Sequence, residues 1–359
     1  MLQPIAPTDD APFGSISDVP GLGVGHHRRI GRGWQTGTTV VVCEGGATPG
    51  VDVRGGAPGT RETDALAPER LVTTINAVCL SGGSAFGLAA AEGVVGELES
   101  RSLGFPIGDD VVVPVVPSAV IFDLGRGGNA GNRPDATFGA RATAAAFSRR
   151  SRTMWGSVGA GTGARSGGLQ GGVGTASTRV SVTIGDAATP SRLPEARQAK
   201  PPTLEFHVGA VAVVNSHGSV IDPATGLPWI RPGRGWRRPD APARRRLAAA
   251  RADVGAGPMN TTIGVVATDA ELHKAESGGL ATVAHDGLAR AIRPAHAVVD
   301  GDTVFSLATG TAPIPDVARV PALLALAAAA ADTFAAACTH AVIAATTIGD
   351  APSWRDATR

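Results

Sequence analysis

The chain has 359 residues, 43% of them hydrophobic and 18% charged, with a formal net charge of +1. Its length accommodates one large domain or two ordinary ones, and its composition is ordinary for a soluble globular protein. The near balance of basic and acidic residues gives no reason to expect nucleic acid or an anionic membrane as a partner.

The ends of the chain and its cysteines indicate a cytoplasmic protein. The first residues lack a basic segment followed by an apolar stretch, so they do not predict a secretory signal. Cys43, Cys79 and Cys338 match no zinc or redox spacing, which favours a reduced compartment. The longest apolar run, 320–337, is dominated by alanine and interrupted by Asp332, so we expect it to be buried in protein rather than lipid.

Alternating β-branched and Ala-rich segments predict an α/β or α+β fold, with sheet layers covered by helices. Several of the strands are apolar on both faces and should lie centrally in a sheet. In chain order, the predicted strands are Thr38–Val42, Val111–Val116, Val180–Ile184, Val208–Val214 and Ile263–Ala267. The predicted helices are Ser84–Glu99, Thr137–Ser148, Asp269–Ala281, which follows a start signal at Thr268-Asp269, and Val317–Ala345.

Two segments, 186–203 and 231–258, are rich in Pro, Arg, Gly and Ala and predict loops or flexible linkers. The basic cluster Arg244–Arg246 lies in the second and is better interpreted as an exposed connection than as a polyanion site. This second segment ends just before Asn260-Thr261. A flexible stretch that delivers a peptide bond to a strand would suit self-cleavage, although any interdomain linker looks the same.

Thr261 stands where this loop meets an apolar strand. A threonine at the start of a buried strand is usually a simple β-former. If the 260–261 bond is cut, however, Thr261 carries both a hydroxyl and a free α-amine, whose reference pKa is about 7.7–8.0. The amine can then serve as the general base for the hydroxyl, so that one residue supplies nucleophile and base.

Asn215 and the pair Asp300 and Asp302 are candidate partners of Thr261. Asn215 ends a strongly apolar strand, where it is either a turn residue or a side-chain amide donor to a tetrahedral oxyanion. The Asp-Gly-Asp segment 300–302 fits a structural turn between strands, or a carboxylate pair that holds an ammonium. Spacing alone leaves both interpretations open at each position.

An ordered set of motifs resembles one known family along nearly the whole chain. The family is that of the self-processing N-terminal-nucleophile aminopeptidases, which includes L-aminopeptidase/D-esterase, β-peptidyl aminopeptidases and nylon-oligomer hydrolases. The motifs that carry the resemblance are Ser17–His27, Val53–Thr63, Leu80–Leu88, Gly171–Ser177, Asn215, Asn260–Asp269, Arg293-Pro294 and Asp300–Asp302.

The resemblance implies a four-layer αββα sandwich, of the type that ornithine acetyltransferases share. It implies that a single catalytic domain, 1–359, is processed between Asn260 and Thr261 into chains 1–260 and 261–359. Thr261 would be the nucleophile, and Asn215 the oxyanion donor. Asp300 and Asp302 would contact the amine and the hydroxyl of the nucleophile. The family also implies a homo-oligomer, often a tetramer of αβ pairs, and no cofactor or metal.

The chain departs from the family pattern at two positions. Gln170 stands before the Gly-Gly-x-Gly-Thr-Ala segment where relatives often carry Lys, and Phe122 stands where some carry a pocket Tyr. Gln keeps a donor but removes a charge, and Phe removes a phenol. We therefore expect both residues to affect substrate preference more than the nucleophile.

Two other motifs suggest binding sites but have simpler interpretations. The glycines of 159–163 and 171–174 resemble fragments of nucleotide-binding loops, but they lack a complete strand–GxGxxG–helix context and a Walker lysine. We expect them to allow close backbone packing. His26 and His27 are adjacent on a predicted extended segment and would point to opposite faces, so they should not share a metal.

Together these features predict an amide hydrolase that acts on short peptides, amino-acid amides or esters through an acyl-enzyme on Thr261. An endo-acting amidase on β-amino or nylon-type oligomers uses the same groups. An acyltransferase of the ornithine acetyltransferase type, and a binding protein that keeps the fold without processing, are the alternatives from other classes.

Overall fold

The computed structural model describes residues 2–108, 111–148, 153–184, 202–252 and 260–359. The strands are β1 (Leu22–Gly31), β2 (Trp34–Val53), β3 (Thr60–Arg61), β4 (Ile75–Ser81), β5 (Phe105–Gly108), β6 (Val111–Val113), β7 (Ser118–Val120), β8 (Arg165–Ser166), β9 (Leu169–Gln170), β10 (Gly172–Thr183), β11 (Thr203–Asn215), β12 (Thr261–Ala270) and β13 (Thr303–Ala312). The helices are α1 (Ala90–Glu99), α2 (Ala136–Phe147), α3 (Ala241–Ala252), α4 (Lys274–Ala291), α5 (Asp316–Ile343) and α6 (Trp354–Thr358).

The long strand β2 links two sheet layers. Its first half pairs with β1 and β4, and the layer continues through β7 to β3. Its second half pairs with β13, and that layer continues through β12 and β11 to β10. The register of β2 against β4 shifts between Val42 and Ala47, so the strand changes partners near its middle.

Three hydrophobic cores separate four layers. One core packs the β10–β13 layer against α4 and α5, and includes Ala210 and Leu288. The middle core packs the two sheets on each other, with Val41 facing Val211 and Val265 across the interface. The third packs the β1–β4 layer against α1 and α2. The predicted four-layer αββα sandwich is confirmed.

The strand period of two explains why the central strands are apolar on both faces. On β2, Val41 enters the middle core, whereas Val40 and Val42 enter the core beneath α1 and α2. On β11, Val211 and Val213 face the other sheet, whereas Ala210 and its alternate neighbours face α5. Each central strand therefore contributes to two cores.

The glycines of 171–174 allow α5 to lie directly on β10, as the sequence predicted. A Cβ at Gly174 would lie 2.1 Å from the backbone nitrogen of Ala341 and 2.2 Å from the carbonyl oxygen of Ala337. A Cβ at Gly172 would likewise lie 2.5 Å from the carbonyl oxygen of Ala341. No side chain fits between the strand and the helix at these positions.

The predicted helices are present, but the start predicted for the third one is wrong. Thr268 and Asp269 belong to β12, which is buried along its whole length. The Asp269 carboxylate accepts bonds from the backbone N–H (2.7 Å) and Nδ1 (2.5 Å) of His207 on β11, so it serves the sheet rather than a helix cap. Helix α4 begins at Lys274, where the Glu276 carboxylate accepts the His273 N–H at 2.8 Å.

Two other predictions need correction. Of the predicted strand Val111–Val116, only β6 forms, and it pairs with β5 in a separate, largely exposed hairpin; Pro114 ends it because proline cannot donate to a strand ladder. The predicted loop 231–258 contains the helix α3, which the Ala- and Arg-rich residues favour. The parts 186–201 and 253–258 of the predicted loops lie outside the described residues.

Helix α5 is the apolar run predicted to be buried in protein. By length and composition it could cross a membrane, but half of its most apolar window is buried inside the protein. A core helix of a globular protein has the same properties, and the contacts of α5 with β10 and β11 give it that role here.

Candidate active site

Sheet register places Thr261 beside the residues predicted to act with it. Thr261 is the first residue of β12, which lies between β11 and β13. The antiparallel pairing with β11 sets Thr261 opposite Asn215. On the other side, a parallel bridge joins Asn260 to Asp300, just ahead of β13. The four predicted catalytic residues and the predicted cut therefore meet at one end of three adjacent strands.

The Thr261 hydroxyl lies against the carbonyl of the peptide bond that precedes it. Oγ1 donates a short hydrogen bond to the carbonyl oxygen of Asn260. The backbone N–H of Gly301 contacts both groups, at 3.1 Å from the Asn260 oxygen and 3.2 Å from Thr261 Oγ1. Thr261 itself is only 5% exposed. One N–H thus points at the region where negative charge would develop if the hydroxyl attacked this carbonyl.

Glycine at position 301 is required by this close approach. A Cβ there would lie 3.0 Å from Thr261 Oγ1 and 2.6 Å from the carbonyl oxygen of Ala57. Any side chain would therefore push the 300–302 segment away from the hydroxyl. Gly301 is a site residue that the sequence analysis passed over as the middle of an Asp-Gly-Asp turn.

The two aspartates are buried next to each other and have different partners. Asp300 Oδ2 accepts the N–H of Ala297 at 2.9 Å. Burial raises the pKa of Asp300, and the negative charge of Asp302 raises it further. Asp302 Oδ1 accepts the N–H of Thr262 at 2.7 Å, so this carboxylate holds the residue that directly follows the nucleophile.

Asn215 is oriented by two donors on its side-chain oxygen. Arg126 Nη1 lies 2.5 Å from Oδ1, and the backbone N–H of Arg165 lies 3.0 Å from it. Nδ2 therefore points the other way and donates to the carbonyl oxygen of Phe122 at 3.3 Å. Because an amide nitrogen carries two hydrogens, one N–H of Asn215 remains for a further acceptor.

Arg126 is a second site residue that sequence reasoning missed. Its side chain is partly buried and also donates to the carbonyl oxygen of Gly163. Burial lowers the pKa of Arg126 to about 10, which leaves it cationic at neutral pH. The nearby carboxyl of Asp123, itself buried, has a pKa raised to about 6. No local motif marks Arg126, because its importance comes from a contact across 89 residues.

Of the two positions that depart from the family pattern, Phe122 contacts Asn215 and Gln170 bonds the neighbouring loop. Phe122 contacts Asn215 through the backbone carbonyl, so the Phe122 main chain belongs to the site. Gln170 is fully buried, and its Nε2 donates to the carbonyl oxygens of Thr162 and Ala164. The Gln170 amide nitrogen therefore supports the loop that leads to Arg165, while its buried amide oxygen has no hydrogen-bond partner among the described residues.

The arrangement is suited to acyl transfer. It combines a buried hydroxyl, oriented N–H donors and paired carboxylates. Among the described residues, no cluster of His, Cys, Asp or Glu could hold a metal ion. His26 and His27 point to opposite faces, as predicted: His26 packs on Trp155, and His27 packs on Phe138 of α2.

Comparisons with known proteins show which family the sequence matches. The sequence model of peptidase family S58 matches residues 14–353. An uncharacterized aminopeptidase of Mycobacterium tuberculosis (strain ATCC 25618 / H37Rv) is 46% identical, over 95% of this chain and 97% of its own length. A 6-aminohexanoate-oligomer endohydrolase of Kocuria sp. (strain KY2) is 30% identical, over 83% of this chain and 76% of its own length.

Solved structures share the fold. The L-aminopeptidase D-Ala-esterase/amidase of Ochrobactrum anthropi, described as a new variant of the Ntn hydrolase fold, aligns with a TM-score of 0.66 at 21% identity. That alignment covers 97% of this chain and 91% of the other. A β-aminopeptidase of Burkholderia sp. aligns with a TM-score of 0.63 at 22% identity, with the same coverage.

Proposed function

The chain belongs to peptidase family S58 and is a hydrolase of the aminopeptidase and amidase class, and from this premise we propose that it cuts itself between Asn260 and Thr261 and then uses Thr261 as an N-terminal nucleophile. The observation that carries the proposal is the contact between the Thr261 hydroxyl and the Asn260 carbonyl, with Gly301 N–H shared between them.

Self-cleavage begins with attack of Thr261 Oγ1 on the carbonyl carbon of Asn260. The hydroxyl proton leaves as the C–O bond forms, and the resulting oxyanion accepts the Gly301 N–H. Collapse of this intermediate breaks the C–N bond, with a proton added to the Thr261 nitrogen. The product is an ester between Asn260 and the Thr261 side chain. Water then hydrolyses the ester, which gives chains 1–260 and 261–359.

Substrate hydrolysis repeats the attack on an external amide. The freed α-amine of Thr261 removes the hydroxyl proton, and the remaining N–H of Asn215, with Gly301 N–H, stabilises the oxyanion. The leaving amine departs with a proton, and water clears the acyl-enzyme. Asp302 keeps the start of β12 in place, and we assign to Asp300 the role of holding the amine, as the resemblance to the family implies.

Short peptides, amino-acid amides or esters are the proposed substrates, and exo cleavage is the preferred mode. The 46% identical relative is named an aminopeptidase, whereas the relative named an oligomer endohydrolase is only 30% identical. Endo cleavage of β-amino or nylon-type oligomers is the second candidate. Aminoacyl anilides in both stereochemistries, assayed beside 6-aminohexanoate oligomers, will separate the two.

We further propose that the protein acts in the cytoplasm as a homo-oligomer. Cys43, Cys79 and Cys338 are all free and buried, which suits a reducing compartment. The outer face of α5 exposes Val317, Val320 and Leu324, and a second copy of the chain could cover them. Light scattering of the purified protein will give the oligomer size.

Removing the proposed nucleophile tests the function directly. The wild type should give two bands on a denaturing gel, and intact mass should place the cut between residues 260 and 261. Thr261→Ala should give one full-length band of 35.9 kDa and no amidase activity. Thr268→Ala, which removes another buried hydroxyl from β12, should still be cut. Cleavage at residue 260 in the Thr261→Ala variant would contradict the proposal.

A further inference from the structure

His296 makes two hydrogen bonds to one oxygen of Asp302. Its backbone N–H lies 3.1 Å from Asp302 Oδ2, and its ring Nδ1 lies 2.8 Å from the same atom. Since a carboxylate only accepts, Nδ1 carries the proton. The other carboxylate oxygen, Oδ1, accepts the N–H of Thr262 at 2.7 Å. The Asp302 carboxylate is therefore fixed from both ends, by His296 on one side and by the start of β12 on the other.

The backbone of His296 adopts a conformation that L-residues rarely take. Its φ is +54°, in the left-handed region, where a side chain crowds the backbone. With this conformation, the N–H and Nδ1 of one residue both reach Asp302 Oδ2. Strained residues of this kind persist where their surroundings hold them, and they concentrate at functional sites.

A second histidine holds the His296 ring from α4. His285 is fully buried, and its ring meets that of His296 edge to face, with 5.0 Å between centroids. His285 Nε2 lies 3.0 Å from the carbonyl oxygen of Asp52 on β2, which fixes the His285 ring in turn. Burial lowers the pKa of His285, so this ring is neutral at physiological pH. The imidazole of His296 is thus locked by packing as well as by its hydrogen bonds.

We propose that His296 is a positioning residue for the chemistry at Thr261. It fixes the Asp302 carboxylate so that Oδ1 stays on the Thr262 N–H, which keeps Thr261 in register with Asn260 and Gly301. The inference rests on the proposed function of Thr261. It assigns His296 no contact with substrate, and its effect passes through one carboxylate.

The test compares two substitutions at residue 296. His296→Leu removes the ring donor and keeps a large apolar side chain against His285. His296→Asn keeps a donor near the position of Nδ1. We expect His296→Leu to slow both self-cleavage and kcat roughly 100-fold, because a shift of about 1 Å at a reacting group costs that much, with KM little changed. His296→Asn should recover most of both rates, and thermal unfolding should show that both variants fold.

A second His–Asp pair provides the matched control. His207 also bonds Asp269 through its backbone N–H and Nδ1, but at the far end of β12, roughly 25 Å along the strand from Thr261. His207→Leu breaks the same kind of contact and should leave self-cleavage and kcat at wild-type values. If His207→Leu slows the reaction as much as His296→Leu, general destabilisation explains both and the proposal fails.

Other outcomes are equally decisive. A His296→Leu variant that cuts itself and turns over as fast as the wild type overturns the positioning role, while the Thr261 proposal stands. A His296→Asn variant that is as slow as His296→Leu also overturns the positioning role. If His296→Leu does not fold, His296→Gln is used in its place, because the longer Gln side chain carries the same amide past Asp302 Oδ2. The proposal is then overturned if the His296→Asn and His296→Gln variants react at equal rates. A wild type that is never cut at residue 260 rejects the function instead.

Discussion

At the scale of single residues, the site relies on backbone N–H groups more than on side chains. Gly301 N–H serves both the Thr261 hydroxyl and the Asn260 carbonyl, and Thr262 N–H holds Asp302. Thr262 belongs to β12, and Gly301 lies two residues before β13, so both donors are held in place by the main chain before the transition state forms. The side chains of Asn215 and Asp302 are each held by at least two hydrogen bonds from other groups.

The raised pKa of Asp300 gives a prediction on stability and pH. A carboxyl whose pKa is higher in the folded than in the unfolded state binds protons more readily when folded. Its charged form therefore destabilises the fold at neutral pH, and this cost disappears as the pH falls below the pKa of the unfolded carboxyl. We expect Asp300→Asn, which keeps an acceptor for the Ala297 N–H, to raise Tm at pH 7 and to lower the amidase rate.

Thermal unfolding of the wild type and of Asp300→Asn across pH 3–8 will check this sign. Both proteins should carry Thr261→Ala, so that only uncut chains are compared. The difference in Tm should shrink as the pH approaches the usual range of aspartate, about 4. A variant that is less stable than its parent at pH 7 would show that the charge of Asp300 contributes favourably to folding.

Sequence reasoning at this scale succeeded where a family motif exists and missed residues that have none. Thr261, Asn215, Asp300 and Asp302 were predicted, and the fold brings them together at one sheet end. Their chemical roles remain proposals. Arg126 and His296 were missed because each acts through a contact that only tertiary structure creates, and a lone Arg or His in a loop carries no local signal.

At the scale of elements, the position of Thr261 depends on the register of β12 against β11 and β13. A slip of one residue would turn every side chain of β12 to the opposite face, so the two cores around the strand fix this register. The same burial explains why Asp269 did not begin a helix. A strand enclosed on both faces continues despite a good local cap signal, and this tertiary effect cannot be read from a short window.

The contact between β10 and α5 gives a prediction on stability. Gly174→Ala would place a methyl group 2.1 Å from the Ala341 nitrogen, so α5 must move away from the sheet. Overpacking of this kind lowers the free energy of unfolding by about 1–3 kcal/mol. Gly279→Ala on the exposed side of α4 meets nothing within 4 Å and should stabilise by up to about 1 kcal/mol through helix propensity.

Urea unfolding of both glycine variants will decide whether close packing is the reason for Gly174. Although both variants replace Gly by Ala, we expect Gly174→Ala to lower the urea midpoint and Gly279→Ala to raise it. If both variants shift the midpoint in the same direction, backbone flexibility of glycine, and not the contact with Ala341, controls the effect.

At the scale of the whole molecule, the two strands that follow the proposed cut are inserted as a pair between strands that precede it. β12 and β13 belong to 261–359, and they lie between β11 and β2, which belong to 1–260. Strand ladders and helix–sheet packing therefore cross between the two chains, and they include the β11–β12 ladder, the β13–β2 ladder and the packing of α5 on β10. Cleavage removes one peptide bond and none of these contacts.

We therefore expect the two chains to stay together after cleavage. On native size exclusion they should elute in a single peak that contains both bands, and they should separate only in denaturant. Elution of 261–359 as a free species under native conditions would contradict this, since that chain would expose β12 and β13 on both edges. The uncut Thr261→Ala protein provides the reference elution volume.

If the chain is cut as proposed, the placement of β12 and β13 between strands of the other chain also determines the order of events in the life of the protein. Before the cut, folding is unimolecular and independent of concentration. After it, a denatured molecule must recover its partner by diffusion, so refolding becomes second order and slows on dilution. The cut protein is then protected chiefly by the barrier to unfolding rather than by an equilibrium it can easily re-establish. Folding must then precede the proposed cut, because the Gly301 N–H reaches the Asn260 carbonyl only once the segment 300–302 lies beside the start of β12.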